Sequence, residues 1–314
     1  MRPFTHLQAS SLEEAAALAA KAGTMVIAGG TDLLGTLKDE CLPYYPSKIV
    51  DLKTVPGLDT IEEDGDAIVI GALVKLQAIA DSELVQTNAQ ALAEACGRAA
   101  SPTIRNMGTI GGNVCQMHRC WYFRCPDNRF VCSRKGGNTC YALNGDNRYH
   151  SIFGIQNMCL AASSHDSAPA LVALGATMVT TAREIPAEEF FVANGCKSHT
   201  MEDGELLKEI RIPKTAKSRF EKFALRKSID FPLVNCAVAE DADGQMHIVL
   251  GACYPAPKRM TEAEAEVASG ITEASAQSAG DAAVANCMKL SDNEYKIEIA
   301  RTLVKRTLLR MVEE

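Results

Sequence analysis

The sequence predicts a mixed α/β chain of two lobes, followed by a β-sheet with packed helices. Three observations carry that prediction. Short apolar runs bounded by turn residues alternate with helical runs over the first two thirds, as in MVIAGGTDLL, KIVDL and AIVIGALV. Six of the 12 cysteines fall between Cys115 and Cys159, in a stretch with little helical or strand periodicity. From about Ser218 the pattern changes to strands and then helices, through RFEKFALRKS, CAVAEDADGQMHIVLGACY and a terminal helical run, Asn293 to Glu314.

Taken in order, Ser11-Leu-Glu-Glu14 reads as a capping box opening a helix that ends at Gly23. Met25 to Ala28 is a short buried strand followed by a Gly-Gly turn, and Lys48 to Leu52 is another strand. Ala67 to Val74 is a third, with Asp64-Gly65 as the turn before it. Leu84 to Ala100 reads as one helix, and Thr103 to Asn113 as a Gly- and Asn-rich loop. After the cysteine stretch, Ala168 to Thr181 gives a short helix and a strand, and Glu205 to Pro213 alternates like a strand. Asp241-Ala-Asp-Gly244 is a hairpin turn. These elements predict lobes over residues 1–60 and 61–214, and a third part over 215–314.

Bulk properties narrow the function. The chain has 314 residues, 47% apolar and 23% charged, ordinary values for a globular protein of two or three domains. A net charge of −7 argues against non-specific nucleic-acid binding. No apolar run is long enough for a membrane helix, and MRPFTHLQAS lacks the apolar core of a secretory signal, so a cytoplasmic location is expected. In a reducing compartment, clustered cysteines point to metal binding or catalysis.

Two glycine turns are the first candidate site. In Ala28-Gly29-Gly30-Thr31-Asp32-Leu33 the glycines let the backbone approach a ligand, and their N–H groups suit a pyrophosphate. The pattern is neither the Rossmann fingerprint nor a P-loop, and an ordinary tight turn is the competing reading. Thr109-Ile110-Gly111-Gly112-Asn113 is a second such turn. Asp166 is placed either to accept from a sugar hydroxyl or to cap the helix beginning near Ala168. Ser163-Ser164-His165-Asp166 is not a hydrolase triad, because its members are adjacent in sequence and no nucleophile elbow accompanies them. The six histidines form no metal motif.

The cysteine stretch is the second. Thiolates select zinc or iron–sulfur centres. Cys115, Cys120 and Cys125 are spaced as C-x₄-C pairs, which keeps zinc open, while the other gaps are wide and irregular, which suits a cluster. Unligated thiols are the third possibility. Arg119, Arg124, Arg129, Arg134, Lys135 and Arg148 crowd the same stretch, where cations stabilise an anionic cluster or form a solvated face.

MVIAGGTDLL, then TIGGN, then S-x-D-x-A-P-A-L-V-A-L-G-A, together with ELLKEIRIP and K-x-x-L-R-K-S-I-D-F-P-L-V (Lys222 to Val234), resemble the FAD-binding subunit of the xanthine dehydrogenase and carbon monoxide dehydrogenase family over nearly the whole chain. The resemblance implies a two-lobed (PCMH-like) FAD-binding domain followed by a C-terminal domain like that of the carbon monoxide dehydrogenase flavoprotein. It implies FAD contacts at Val26, Ile27, Ala28, Gly29, Gly30, Thr31, Asp32, Leu33, Thr109, Gly111, Gly112, Asn113 and Asp166, with Leu207 and Lys222 near further contacts. The cysteine insertion is similar to that of the flavin subunits of 4-hydroxybenzoyl-CoA reductase and periplasmic aldehyde oxidoreductases. It implies a [4Fe–4S] cluster on Cys120, Cys132, Cys140 and Cys159, leaving Cys115 and Cys125 aside. The implied role is electron transfer in an oxidoreductase, with a molybdopterin-binding large subunit, a [2Fe–2S] small subunit and ferredoxin or NAD as outside carrier. No catalytic acid or base is expected in this chain. A stand-alone FAD oxidoreductase with a structural zinc loop, and a zinc-stapled interaction module, are the readings set against it.

Overall fold

The structure, a computed structural model, describes residues 1–215, 217–227 and 229–313. Ala216 in the expected boundary, Ser228 in the K-x-x-L-R-K-S-I-D-F-P-L-V segment and the terminal Glu314 lie outside the described residues.

The first sheet is parallel, in the order β1 (Thr5–Gln8), β3 (Lys48–Asp51), β2 (Thr24–Ile27). The helix Leu12–Ala19 links β1 to β2, and its N-cap is as the sequence predicts, with Ser11 Oγ accepting from Glu14 N–H at 3.1 Å. The reciprocal half of the box differs: the Glu14 carboxylate accepts from Ser10 N–H at 2.8 Å instead of from Ser11. The second sheet is antiparallel: β4 (Ile61–Asp64), β5 (Ala67–Gly71), β10 (Leu207–Pro213), β6 (Thr177–Thr180), β7 (Glu184–Pro186). A hairpin, β8 (Phe191–Asn194) with β9 (Lys197–His199), stands beside it. The third sheet is an antiparallel meander, β11 (Ser218–Phe223), β12 (Val234–Glu240), β13 (Met246–Gly251), β14 (Lys258–Arg259). Gly244, at φ +78°, makes the turn between β12 and β13 where the sequence places it.

The helix Tyr295–Arg310 packs on the third sheet through Ala300, Leu303 and Leu308, and the helix Glu273–Val284 packs on that helix, burying Ala276 and Ala283 in the same core. The core beneath the second sheet runs on into the third through Phe220, Ala237 and Val249. Polar contacts reinforce that joint: Arg310 on the last helix reaches Glu94 at 2.7 Å and Glu221 at 2.9 Å.

One helix differs from expectation. Leu84 to Ala100 is broken at Ala89 (φ −154°, ψ 49°) into Glu83–Asn88 and Gln90–Gly97. Tertiary partners override the propensity there. The Asn88 carbonyl accepts from Thr215 N–H at 2.8 Å, and Ala91 N–H donates to Ser218 Oγ at 3.0 Å. Among the described residues no helix is long and apolar enough to cross a membrane.

Candidate functional site

A cavity of about 760 Å³, within the size range of cofactor sites, opens between the first and second sheets. Its wall includes Val26 to Leu33, Thr109, Gly111, Gly112, Asn113, Asp166 and Leu207, so the structure brings together all but one of the residues expected to hold the dinucleotide. Lys222 is the exception. It stands behind the wall, its ammonium 2.7 Å from Asp166 Oδ2 and 3.0 Å from Arg98 O.

The first glycine turn has both features a phosphate cradle requires. Gly30 adopts φ +74°, where a side chain is strained, and a Cβ on Gly29 would overlap the carbonyl oxygen of Met107. Among the described residues the N–H groups of Gly29, Gly30 and Thr31 donate to no protein acceptor, and all three residues line the cavity. The second turn differs from the expected loop. TIGGN begins a short helix, Ile110–Val114, whose N-cap Thr109 Oγ1 accepts from Gly112 N–H at 3.1 Å. Gly111 N–H donates to Ala72 O at 2.9 Å, and its missing Cβ would lie 2.7 Å from the same oxygen. Gly111 therefore serves close packing against Ala72, just past the end of β5, while the N–H of Gly112 is taken by the Thr109 cap.

Asp166 neither caps the following helix nor stands free. Its carboxylate accepts from Lys222 and from Asn235 Nδ2 at 3.0 Å, both delivered by the third sheet. Burial pushes the Asp166 pKa up, and Lys222 pulls it back. Asp32 is likewise engaged, 2.7 Å from Arg119 and 2.9 Å from Arg124. Burial opposes its charge, but Arg124 and Arg119 together hold the Asp32 carboxyl below the usual range.

Residues not among the expected contacts also reach the cavity: Thr24, Arg119, Ser164 (the first residue of the S-x-D motif) and His199 line it, each with one buried polar atom lacking a protein partner (Thr24 Oγ1, Arg119 Nε, Ser164 Oγ, His199 Nδ1). Such orphans call for a polar ligand. An FAD fits this set, with unpaired amides at one end and unpaired side-chain donors and acceptors along the walls. Arg119 had a signal, being next to Cys120; Thr24 and His199 had none, because their exposure to the cavity depends on distant chain segments.

The second candidate lies beside the first. Cys120, Cys132, Cys140 and Cys159 line one enclosed space of about 20 Å³, walled by Tyr122, Phe123, Arg134 and Tyr141. Cys115 lines the large cavity instead, and Cys125, just before the short turn Pro126–Asn128, does not line the small space, so the C-x₄-C pairs do not share it. Among the described residues no three His, Cys, Asp or Glu side chains are arranged to hold a single metal ion. The four thiols share this one small space, and thiolates are the donor type that iron–sulfur centres take. Burial pushes the Cys120 thiol up to about 12, so ligation has to displace its proton, as a bound metal does. His150 Nε2 stands 3.2 Å from Cys120 Sγ. The Asp32–Arg119–Arg124 cluster joins the two sites: Arg124 donates to His118 O at 2.8 Å and to Met117 O at 2.7 Å, fixing the cysteine segment against the first glycine turn.

Residues 2–215 match the family of FAD-binding domains in molybdopterin dehydrogenases. The aldehyde oxidoreductase FAD-binding subunit PaoB of Escherichia coli (strain K12) is 32% identical over 327 residues, spanning 100% of this chain and 98% of that protein. The carbon monoxide dehydrogenase medium chain of Hydrogenophaga pseudoflava is 28% identical, over 97% of this chain and 96% of that one. Among solved structures, carbon monoxide dehydrogenase from Hydrogenophaga pseudoflava lacking the Mo-pyranopterin moiety of the molybdenum cofactor superposes with a TM-score of 0.76 at 26% identity, covering 99% of this chain and 98% of that chain.

Proposed function

The chain belongs to the family of FAD-binding subunits of molybdopterin dehydrogenases, and from that premise we propose that it carries one [4Fe–4S] cluster besides its flavin and relays electrons between the molybdenum enzyme's other subunits and an outside carrier. The chain is the FAD-binding subunit of a multi-subunit oxidoreductase of the molybdenum hydroxylase type. The finer reading adds a molybdopterin-binding large subunit, a [2Fe–2S] small subunit, and ferredoxin or NAD as the carrier. We also divide the chain into a first lobe (1–60), a second lobe bearing the cysteine insertion (61–214) and a C-terminal domain (215–314).

The observation that carries the FAD assignment is the row of unpaired amides at Gly29, Gly30 and Thr31 facing a cofactor-sized cavity. These amides take the diphosphate. Asp166, fixed by Lys222 and Asn235, offers a rigid acceptor to a hydroxyl of the cofactor. Leu207 and Leu33 supply apolar wall. For the cluster, the supporting observation is the convergence of Cys120, Cys132, Cys140 and Cys159 on one aromatic-walled space. Bound FAD exchanges electrons in pairs or singly and the cluster singly, so the protein's part is binding, orientation and electrostatics. Tyr122, Phe123 and Tyr141 keep water from the thiols, and the Asp32–arginine bridge holds the two sites at a fixed separation.

Purification without air tests this. The wild-type chain should show both flavin absorbance and a broad iron–sulfur shoulder. Cys132→Ser should retain FAD and lose the iron. Unchanged iron in that variant would refute ligation, and zinc in place of iron would favour a structural metal loop.

A further inference from the structure

Arg134 and Lys135 are each only 5% exposed, yet among the described residues no carboxylate lies within ion-pairing distance of either. Neighbouring cations are treated differently: Arg119 and Arg124 share Asp32, and Lys222 pairs with Asp166. The partners of Arg134 are neutral. Its Nε donates to Gly195 O at 2.6 Å, its Nη2 to Lys197 O, and its Nη1 meets His118 Nδ1 at 2.6 Å. His118 is itself fully buried, its Nε2 2.6 Å from Pro255 O, so its ring too is held by a neutral group. Lys135 Nζ donates to Cys41 O and Phe123 O, both at 3.1 Å. Both cations lie over the ring of Phe123, Arg134 at 5.1 Å and Lys135 at 5.6 Å from its centroid. Phe123 and Arg134 in turn wall the space shared by the four cysteines.

A buried cation satisfied only by neutral acceptors is costly, and two adjacent ones repel each other as well. Such a pair implies a buried anion. The cysteine space is where it belongs, because a [4Fe–4S] core in its oxidised state with four thiolates is doubly negative, opposite in sign to the two cations and equal to them in magnitude.

We propose that Arg134 and Lys135 are the counter-cations of the cysteine site, cancelling the charge of the oxidised cluster and raising its reduction potential. The proposal rests on the cluster assignment above and adds which of the six nearby basic residues act on it. Arg129 is exposed, Arg148 is turned toward Asp146 at the surface, and Arg119 and Arg124 are committed to Asp32. On reduction the cluster gains one electron and the buried site moves from neutral to singly negative. Without one cation that step starts from a negative site and is harder. Neither residue is catalytic; each acts through the charge it places beside the thiolates.

The test is an anaerobic redox titration of the full chain, followed by electron paramagnetic resonance, with iron content measured on the same samples. Arg134→Gln and Lys135→Gln should each keep their iron and shift the reduction equilibrium at least ten-fold toward the oxidised form, about 59 mV lower for a one-electron couple. Arg134→Lys, which keeps the charge, should stay near wild type. A structural role alone would lower iron loading or thermal stability and leave the potential of the loaded protein where it was. If Arg134→Gln does not hold iron, Lys135→Gln decides, since it leaves every hydrogen bond of Arg134 in place. Iron-loaded variants with the wild-type potential would overturn the proposal. A wild-type chain without iron would overturn the cluster assignment beneath it, a result read before any variant is made.

Discussion

Gly29 sits where the first glycine turn presses on the backbone at Met107, and a methyl group there has no room. Gly29→Ala should therefore push the turn out of position, costing about 1–3 kcal/mol in stability and most of the flavin affinity. Flavin content after purification and the urea midpoint measure both. Full FAD occupancy would count against this turn as the diphosphate cradle. Asp166 and Lys222 form a pair in which each side chain is 5% exposed, and removing one partner strands the other. Asp166→Ala should lose about 3–5 kcal/mol even without FAD, while the double change to Asn and Met should recover much of it. Asp32 adds a pH dependence. Its folded carboxyl lies below the usual range, so its contribution is fully present above the ordinary value near 3.8 and is lost as pH falls through the lower folded one. Asp32→Asn should flatten the acid limb of the stability curve below about pH 4. An unchanged acid limb would mean the Arg119–Arg124 bridge contributes nothing.

Among the elements, those read correctly from sequence have local causes. Ser11 caps its helix, Gly65 and Gly244 turn their hairpins, and β10 alternates buried and exposed residues. Those that were missed have distant ones. β1 is short and largely exposed, and exists because β3 pairs with it across about forty residues of chain. β4 is exposed along most of its length and shows no apolar alternation. TIGGN looked like a loop because its glycines disfavour helix, yet Thr109 caps it and Ala72 receives it. The cysteine segment was legible as irregular, and beyond two short 3₁₀ turns it has no regular structure of its own between Val114 and Ser167. On the proposed reading, ligation supplies what secondary structure does not. Stripping iron with a chelator should make residues 115–160 the first site of proteolytic cleavage, while the three large sheets stay protected. Equal protease resistance with and without iron would contradict that.

Over the whole molecule, the third sheet does more than complete a fold. It delivers Lys222 and Asn235 to Asp166, and the last helix and the turn before it hold the cysteine segment, Lys296 Nζ donating to His150 O at 3.0 Å and Asn293 Nδ2 to Ser151 O at 2.8 Å. None of these pairings could be read from sequence, since they join residues 56 to 146 positions apart. The order of motifs did reveal the cofactor class, because that order resembles the one found in a family of FAD-binding subunits. The central claim is that one chain holds a flavin and an iron–sulfur cluster side by side. Its most direct test is the metal and flavin analysis of the chain purified without air: the account predicts FAD together with the iron and acid-labile sulfide of a single [4Fe–4S] cluster per chain. A chain that binds FAD but contains neither iron nor labile sulfide would contradict it.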